Sequence, residues 1–535
     1  MRQRNSKWIV ILATMLVLWC SLASLTLAAD KDTLWEVAGL LKEKYVDPVG
    51  NDVLQAPAID EMLKRLGDPY ARYYTREEYQ EEMDSLNGEF TGIGVYFRPI
   101  KEGAEVFQLL EGSPAARIGI KKGDIITMAA GQALAGLDVD AVSKLIKGAA
   151  GTTVQLKIKR GNNTLDMSVV REKVTIPSVE SQLLENNTGY ISLNEFGKHS
   201  AEDMNKAIQT LQAKKAKNWI LDLRGNPGGF LDAAIDIAGN FMGEADALIV
   251  QERSGKEVYQ GNPESRFVDG SLVVLIDENS ASAAEILSGA LQDNQRALII
   301  GRKSYGKGTV QQIFDLANED RVKFTIARFY SPLGKTINKV GIQPDIQVSD
   351  EEAELAAQLI LYDPPADYKG QLIKRVVNTW EINVDPERAH SARFWKAWRS
   401  MIQGAAADML YIGNDTLGWS EISQEEYQSL WPLYYPGYKY YGDLTPVQAD
   451  GEIKVSLAEE LDPRYINFST VELVKADSGE RVKIAASLTG AKDILVKPAA
   501  KLGSGEYWLV LHDNIRLRSG DRIDQGQVAV IKAGK

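Results

Sequence analysis

Hydrophobic side chains recur at two different spacings along this chain, and the changes of spacing predict alternating helical and sheet-forming regions. Residues 33–87 place apolar side chains three and four positions apart, notably over 35–41 and 59–66, which predicts amphipathic helices. A Gly-Asp-Pro turn at residues 67–69 ends the second of these helices. From residue 89 to 174, short alternating segments between turns predict strands, which we place at 94–97, 106–110, 124–128 and 154–158.

The middle of the chain repeats a strand, a turn of small residues and a helix. Two apolar runs, 219–224 and 272–276, are predicted to be buried strands, and helices are predicted over 232–242 and from Ala281 onward. Such a junction exposes backbone N–H groups at the positive end of a helix dipole, which suits an oxyanion hole. An ordinary strand-to-helix turn has the same pattern. Ser282 is predicted to lie at or near a helix N-terminus.

The pattern changes again after Asp350. Helices are predicted over 351–361 and 394–409, followed by a stretch dense in aromatic residues at 431–441. We interpret this stretch as packing at a domain seam, with binding of a partner or wall polymer as the alternative. Beyond residue 451, recurring short strands (453–457, 471–474, 493–496 and 507–511) predict a small β-sandwich.

Composition limits the functional classes and points to export. The 535 residues suggest three to five domains, and the net charge of −12 argues against a nucleic-acid partner. No phosphate loop or metal-ligand cluster is evident, so neither a cofactor nor a metal is expected. Arg2, Arg4 and Lys7 precede an apolar run over 8–27 and then two alanines, which predicts a secretory leader and a secreted or cell-envelope location.

Two features of the leader leave its fate open. Its apolar run of near 20 residues is also long enough for an uncleaved membrane anchor. Cys20 is the only cysteine and follows Trp19 rather than a small residue, which argues against a lipoprotein cleavage site. The mature chain would then contain no disulfide.

A serine and a lysine in settings of small residues are the candidate chemistry. Ser282 lies in an alanine-rich segment, and Lys307 follows 25 residues later between two glycines. The three histidines, His199, His390 and His512, all lie more than 80 residues from Ser282 in sequence, although that distance alone excludes none of them. A Ser-Lys pair is a recognised variant of nucleophilic catalysis.

Lysine can act as a base only if its pKa falls. A free lysine has a pKa of about 10.4, and desolvation can lower this value by several units. The fold must therefore bury Lys307. A pocket that is assembled only when substrate docks would leave such an enzyme inactive at rest.

Four ordered motifs, at residues 222–229, 280–286, 305–311 and 341–345, resemble those of the C-terminal processing peptidases, or tail-specific proteases. The likeness covers roughly residues 33–350. It implies that Ser282 is the nucleophile, Lys307 the general base and Gln311 the residue that orients the lysine. It also implies an oxyanion hole made by the backbone N–H groups of Gly229 and Ala283. Ser280 stands where the family often has threonine, which makes it a rival nucleophile, but only Ser282 keeps the family's spacing to Lys307.

The strands between residues 89 and 174 carry a second resemblance. The segments 112–116 and 119–126 are similar to those of PDZ domains, and a glycine-containing loop matches the carboxylate-binding loop of that family. Such a domain pairs a peptide with a sheet edge and holds its C-terminal carboxylate on backbone N–H groups. The resemblance implies peptide-binding roles for Gly92, Ile93, Gly94 and Val95. A small β module that only packs on the protease is the alternative.

These patterns together predict a multidomain α+β protein. Segments at 461–463, 469–473 and 497–507 resemble bacterial Ig-like domains, so the C-terminal sandwich is interpreted as a spacer or adhesive module. In the peptidase family, the N-terminal helical region packs around the protease and can mediate dimerisation, so a homodimer is a further expectation. The divisions are 1–29 leader or anchor, 30–88 helical region, 89–174 PDZ-like domain, 175–350 α/β protease core, 351–446 helical aromatic-rich region and 447–535 Ig-like β-sandwich.

The predicted function is that of an exported serine endopeptidase that selects protein substrates by their free C-terminal tails. The competing hypothesis is a catalytically silent PDZ scaffold of the cell envelope. Retention of Ser282, Lys307 and Gln311 together favours the enzyme. A hydrolase for another acyl compound is a third hypothesis, which the peptide-binding PDZ-like segment disfavours.

Overall fold

The computed structural model describes residues 31–533, apart from residues 87, 111, 176, 266–267, 366–367, 406–408 and 445–450. The leader predicted over residues 1–29 lies outside these described residues. Within the described part of the chain, no helix combines the length and apolar character that crossing a bilayer requires.

The N-terminal region is helical, as predicted, and is joined to the core by a strand. Its β1 pairs antiparallel with a long core strand, matching Arg72 with Lys323. Apolar side chains of its helices, including Leu41 and Met62, share a buried cluster with Val322 and Phe324 of that core strand. The elements are α1 (residues 31–44), α2 (Asn51–Leu54), α3 (Ile59–Leu66), β1 (Arg72–Tyr74) and α4 (Arg76–Leu86).

The second region is a small β module with two helices. Strands β3, β4, β5, β7 and β8 form one sheet in that order, β6 pairs with β5, and β2 pairs with β9. Among the strands that the structure describes, the outer strand β3 pairs with β4 alone, so its other edge is available to an added strand. The elements are β2 (Glu89–Gly92), β3 (Val95–Ile100), β4 (Gly103–Leu109), α5 (Pro114–Arg117), β5 (Ile125–Ala129), β6 (Gln132–Ala133), α6 (Val139–Ile146), β7 (Thr153–Arg160), β8 (Asn163–Val170) and β9 (Glu172–Thr175).

The third region holds helices between two sheets. The larger sheet has the order β10-β11-β12-β15-β16-β19 and is parallel from β11 to β19. In the other sheet, β18 pairs with β1, β17 and β13, and β14 pairs with β13. The elements are β10 (Val179–Leu183), β11 (Thr188–Leu193), α7 (Ser200–Ala213), β12 (Asn218–Asp222), α8 (Leu231–Met242), β13 (Asp246–Gln251), β14 (Lys256–Gln260), β15 (Leu272–Ile276), α9 (Ala283–Asp293), β16 (Leu298–Gly301), β17 (Thr309–Asp315), β18 (Arg321–Tyr330), β19 (Ile346–Gln347) and α10 (Asp350–Ile360).

Burial on both faces explains the apolar runs of the parallel sheet. All five residues of β15 are buried, as expected for a central parallel strand. Val274 faces the cluster formed with α7, α8 and α9, whereas Val273 and Leu275 face the region that follows α10. The carboxyl ends of the adjacent strands β12 and β15 therefore lie side by side, and the turns that follow them meet at one edge.

Residues 351–444 contain the predicted helices but also a sheet that the sequence reading did not include. Four antiparallel strands are ordered β21-β20-β22-β23. The sequence of β20, Leu-Ile-Lys-Arg-Val-Val, does not alternate apolar and polar residues, so it did not predict a half-buried strand. The aromatic stretch packs at a seam, because Trp395 stacks on Tyr434 and both contact Trp508 of the next region. The elements are β20 (Leu372–Val377), β21 (Trp380–Val384), α11 (Pro386–Ala389), α12 (Trp395–Gln403), β22 (Leu410–Asn414), β23 (Gly418–Glu421), α13 (Gln424–Ser429) and β24 (Lys439–Leu444).

The C-terminal region is built from strands, as predicted. One sheet has the order β24-β31-β30-β26-β27 and the other β25-β29-β28, and residues of both share a buried cluster. Strand β24 precedes the predicted boundary at residue 447 but pairs in parallel with β31. The Ig-like assignment stays a prediction. The strands are β25 (Ile453–Ser456), β26 (Val471–Lys475), β27 (Arg481–Val482), β28 (Ile484–Leu488), β29 (Asp493–Pro498), β30 (Gly505–Leu511) and β31 (Gln527–Ala533).

Candidate active site

The turn after β12 is a tightly bonded glycine loop. Asn226 is fully buried, and its amide donates to the Leu193 carbonyl at 2.7 Å while its Oδ1 accepts from Gly228 N–H at 2.8 Å. Phe196 then forms a parallel bridge with Gly229 before α8 begins. Gly228 and Gly229 have φ values of +103° and +143°, which favour glycine. The loop geometry is therefore fixed by its own amide and by these two glycines.

A buried aspartate after β15 ties this loop to the next one. Oδ1 of Asp277 accepts hydrogen bonds from the backbone N–H groups of Gly225 at 2.9 Å and of Ser280 at 3.0 Å. Burial opposes the charged form, but the hydrogen bonds from Gly225 and Asn279 hold the pKa of Asp277 below its usual value. The two turns at the sheet edge thus share one carboxylate.

Ser280, the rival nucleophile, has a structural role in the turn after β15. Its side chain is fully buried and its hydroxyl donates to the Leu223 carbonyl at 2.8 Å. Its Oγ also accepts the Asp277 N–H at 2.9 Å. These bonds tie the hydroxyl of Ser280 into the turn between the two strands.

Ser282 precedes α9 in a strained conformation, and its predicted place at a helix N-terminus is confirmed. Its φ of +56° and ψ of −113° lie outside the regions that a residue with a side chain ordinarily occupies. Such strain persists only where surrounding contacts hold it, and it concentrates at functional sites. A Cβ built on Gly228 would lie 2.7 Å from the Ser282 Cβ, so the glycine loop packs directly against this serine.

Glu285 connects the serine to the lysine loop, a role that the sequence reading missed. Its fully buried carboxylate accepts the backbone N–H groups of Ser282 at 2.9 Å and Lys307 at 2.8 Å on the same oxygen, Oε2. Its Oε1 accepts the Gly306 N–H at 2.7 Å and the Ser304 hydroxyl at 2.5 Å. The Ser-x-x-Glu spacing at 282–285 is a capping-box pattern that could have indicated the first of these bonds.

Lys307 is partly buried, and its pKa falls in the direction that a base requires. Burial is the largest cause, and the nearby charge of Lys323 lowers the pKa of Lys307 further. Asp68, Glu285 and Glu82 act in the opposite direction without reversing the result. The Nζ atom lies 4.7 Å from the ring centroid of Tyr70, a residue of the N-terminal region.

The structure brings the backbones of the predicted catalytic residues together without joining their side chains. Gln311 follows a register shift in the β17–β18 pairing, and its amide donates to the hydroxyls of Thr309 at 2.9 Å and Thr325 at 3.3 Å. Among the hydrogen bonds of the described residues, none joins Lys307 Nζ to Ser282 Oγ or to the Gln311 side chain. In this conformation, Lys307 and Gln311 are engaged with other partners.

Of the two predicted oxyanion-hole donors, one follows Ser282 in the chain and the other belongs to the glycine loop that packs against it. Ala283 N–H opens α9, and Gly229 N–H lies in the loop that packs on the serine. Neither N–H group donates to any acceptor that we find among the described residues. Free N–H groups beside a strained serine at a helix start can hold a developing negative charge.

The three histidines lie elsewhere in the fold. The His199 side chain is largely exposed beside Glu202 just before α7. His390 stacks on Tyr435, and His512 bonds to Tyr438 and Glu472 at the seam of the two C-terminal regions. None of these contacts reaches the segment around Ser282.

Carboxylates near the strand ends already have a cationic partner. One oxygen each from Asp277, Glu278 and Asp350 lies within 4.8 Å of the others, a spacing that could admit a metal ion. The guanidinium of Arg302, however, contacts Glu278 at 2.6 Å and also bonds Asp350. Since this group already supplies positive charge, we assign no metal.

The predicted peptide-binding loop lies at the start of the outer strand of the β module. The carbonyl of Ile93 accepts the Ala115 N–H at 2.9 Å, and that of Gly94 accepts the Leu110 N–H at 3.1 Å and the Ser113 hydroxyl at 3.2 Å. The N–H groups of Ile93 and Gly94 make no hydrogen bond that we find within the described residues. Gly92 is held by pairing with Glu172, and Val95 begins β3.

Comparisons with known proteins agree with both resemblances. Residues 187–348 match the model of Peptidase family S41, and residues 91–170 match that of the PDZ domain. The chain is 34% identical over 334 residues to the carboxy-terminal processing protease CtpA of Bacillus subtilis, covering 70% of that protein and 62% of this chain. The chain belongs to peptidase family S41.

Other similar proteins are less identical or are covered less fully. A probable CtpA-like serine protease of Staphylococcus epidermidis is 33% identical over 313 residues, and the match spans 63% of that relative and 58% of this chain. The chain thus spans less than two thirds of the length of some relatives that it matches. The solved photosystem II D1 C-terminal processing protease is 26% identical, with a TM-score of 0.41 over 62% of this chain and 98% of that one.

Proposed function

We propose that this protein is a serine endopeptidase in which Ser282 is the nucleophile and Lys307 the general base. The observation that carries the proposal is the buried Glu285 carboxylate, whose Oε2 holds the backbone N–H groups of both residues. Ser282 stands at a strained helix start beside two N–H groups that fit an oxyanion hole. Membership of family S41 supports the same assignment.

We propose the following reaction for the state in which Lys307 reaches Ser282. Neutral Lys307 Nζ takes the proton of Ser282 Oγ while that oxygen bonds to the carbonyl carbon of the scissile peptide. The carbonyl oxygen becomes negative and is stabilised by the N–H groups of Gly229 and Ala283. Collapse breaks the C–N bond, and the lysine proton passes to the leaving amine. Water, deprotonated by the same lysine, then hydrolyses the acyl-enzyme and restores Ser282.

We further propose that the described conformation is a resting one. Gln311 is bonded to two threonine hydroxyls, so its amide must turn before it can hold the lysine against the serine, whereas the Tyr70 ring stays beside the lysine. Reorientation on peptide docking would restrict proteolysis to bound substrate.

Substrate selection is assigned to the PDZ domain. The open edge of β3 can accept an extended peptide as an added strand, and the N–H groups of Ile93 and Gly94 can hold its terminal carboxylate. We therefore propose protein substrates with free C-terminal tails. The N-terminal sequence, in which basic residues precede an apolar run, supports action outside the cytoplasm.

Cleavage of an unstructured protein such as β-casein tests the proposal. Ser282→Ala and Lys307→Ala should each abolish cleavage by the full chain, because removing either member of the pair destroys most of the rate. The matched control is Ser288→Ala in the same helix, whose hydroxyl bonds only helix carbonyls and which should remain active. Cleavage by Ser282→Ala, with loss instead in Ser280→Ala, would show that the wrong serine was chosen.

A further inference from the structure

Tyr70 lies far from Lys307 in sequence but forms a wall of its pocket. The Lys307 Nζ atom is 4.7 Å from the centroid of the Tyr70 ring, within the range of a cation–π contact. Tyr70 itself is half-buried. Neither residue carries a local sequence signal that would predict the contact.

The position of Tyr70 is fixed by the strand that carries the lysine's other neighbours. Asp68 accepts the Tyr70 N–H at 2.9 Å on Oδ1 and the Thr325 N–H at 3.1 Å on Oδ2. The Thr325 carbonyl accepts the Val46 N–H at 3.0 Å, and the Thr325 hydroxyl accepts the Gln311 amide. One threonine of β18 therefore connects the N-terminal region to the residue predicted to orient the lysine.

Charged groups approach Lys307 from several elements. Lys323 of β18 is held at 2.9 Å from Glu82 of α4, and Asp68 lies just before Tyr70. Glu285 of α9 bonds the Lys307 backbone. Burial raises the pKa of Tyr70, and Tyr305 and Glu285 raise it further, so Tyr70 stays a neutral phenol beside the lysine.

We propose that Tyr70 is a positioning residue for the general base, so that the N-terminal region completes the catalytic pocket. The ring has two separable effects on Lys307. Its apolar body excludes water, which favours the neutral amine, whereas its negative face stabilises the ammonium. The inference rests on the proposed role of Lys307 as base.

Three substitutions separate these effects, and the pH dependence of Ser282 labelling by a fluorophosphonate reports them. Labelling should rise with pH as Lys307 loses its proton, and the midpoint of this rise, here called the limb, reports the pKa of Lys307. Tyr70→Leu keeps an apolar wall but removes the aromatic face, so the pH limb should move down by about 0.4 to 1.5 units, the range that cation–π energies imply. Tyr70→Ser also loses the aromatic face but admits water, so its limb should lie at higher pH than that of Tyr70→Leu. Tyr70→Phe keeps both properties and should leave the limb within roughly 0.3 units of its original position, an allowance for small changes in packing.

The matched control is Tyr79→Leu. Tyr79 belongs to the same N-terminal region and its ring faces Arg321 at 5.1 Å, so this variant loses a cation–π contact of the same kind away from the base. Its limb should not move. Circular dichroism of each full-length variant verifies folding, and Tyr70→Met replaces the leucine variant if that one does not fold.

A limb that moves down in the leucine variant and lies higher in the serine variant than in the leucine variant is the diagnostic result, because a merely structural tyrosine would lower labelling at every pH without moving the limb. An unmoved limb in the leucine variant, or coincident limbs in the leucine and serine variants, would overturn the inference. If Lys307→Ala still labelled and cleaved normally, the proposed function would fail instead. Loss of activity in that variant with an unmoved limb in the Tyr70 series would sink only the role of Tyr70.

Discussion

Glu285→Gln should loosen the candidate active site far more than a surface substitution of the same kind. Each oxygen of the Glu285 carboxylate accepts two hydrogen bonds, from Ser282 and Lys307 on one side and from Ser304 and Gly306 on the other. A glutamine side chain offers one oxygen and one NH2 group. Whichever way the amide turns, its NH2 group faces two of the groups that now donate to a carboxylate oxygen, and of these only the Ser304 hydroxyl can turn to accept.

The size of the effect follows from this count. Hydrogen bonds to a charged group contribute roughly 1.5 to 3 kcal/mol each, so losing two of them costs about 3 to 6 kcal/mol. This corresponds to a change of about 10² to 10⁴ in the equilibrium for local opening. Because a chain with several domains need not unfold in two states, local opening is a better observable than global stability.

Hydrogen exchange followed by mass spectrometry measures that opening. Segments 278–286 and 302–310 should exchange faster by about two orders of magnitude or more in Glu285→Gln. Fluorophosphonate labelling of Ser282 should slow as well, because the serine and lysine segments lose their common partner. Segments in the PDZ domain should exchange as before.

The control is Glu278→Gln in the same loop. Glu278 is exposed and pairs with Arg302, and surface ion pairs contribute up to about 1 kcal/mol. If both variants exchanged at the same rate in segments 278–286 and 302–310, the carboxylate of Glu285 would not hold the two catalytic segments together, and the reasoning would be refuted.

Three further outcomes are expected. Cleavage should rise with pH through a limb below the ordinary lysine pKa, because the burial of Lys307 lowers its pKa and a base acts when deprotonated. A variant lacking all three histidines should keep that limb, and loss of the limb would assign the base to a histidine. Gly228→Ala should abolish labelling of Ser282, because the new Cβ would lie 2.7 Å from the Cβ of the serine. Gly225→Ala should cost stability but retain labelling, because Gly225 has a φ of +71° and no atom lies near the place of its Cβ. In fluorescence anisotropy, the full-length Ser282→Ala variant should bind peptides with free apolar C-termini more tightly than amidated ones, and equal binding would exclude carboxylate recognition.

Local motifs and long-range contacts differ in how far sequence could predict them. Ser282 was singled out because it follows a predicted strand in a segment of small residues, and Lys307 because it lies between two glycines. The role of Glu285 toward Lys307 and the contact of Tyr70 depend on tertiary packing between segments with no shared local pattern. The four-stranded sheet that begins with Leu372–Val377 was missed, because one of the buried positions of this strand is Arg375 and its sequence therefore does not alternate apolar and polar residues.

The fold also shows why the predicted boundary at residue 447 and the observed sheet differ. A boundary predicted from sequence is placed where the composition changes, and the aromatic stretch ends near residue 447. Strand β24 lies before the boundary, yet its backbone pairs with the last strand of the chain. Such a pairing between distant segments leaves no mark in local composition.

Mapping the site of a fluorophosphonate adduct on the folded full chain tests the Ser-Lys assignment most directly. We predict phosphonylation of Ser282 Oγ, with loss of fluoride, in the wild-type protein and no adduct in Lys307→Ala. An adduct on Ser280, an adduct on Ser282 formed at an unchanged rate without Lys307, or continued cleavage by a chain that cannot be labelled would contradict the assignment.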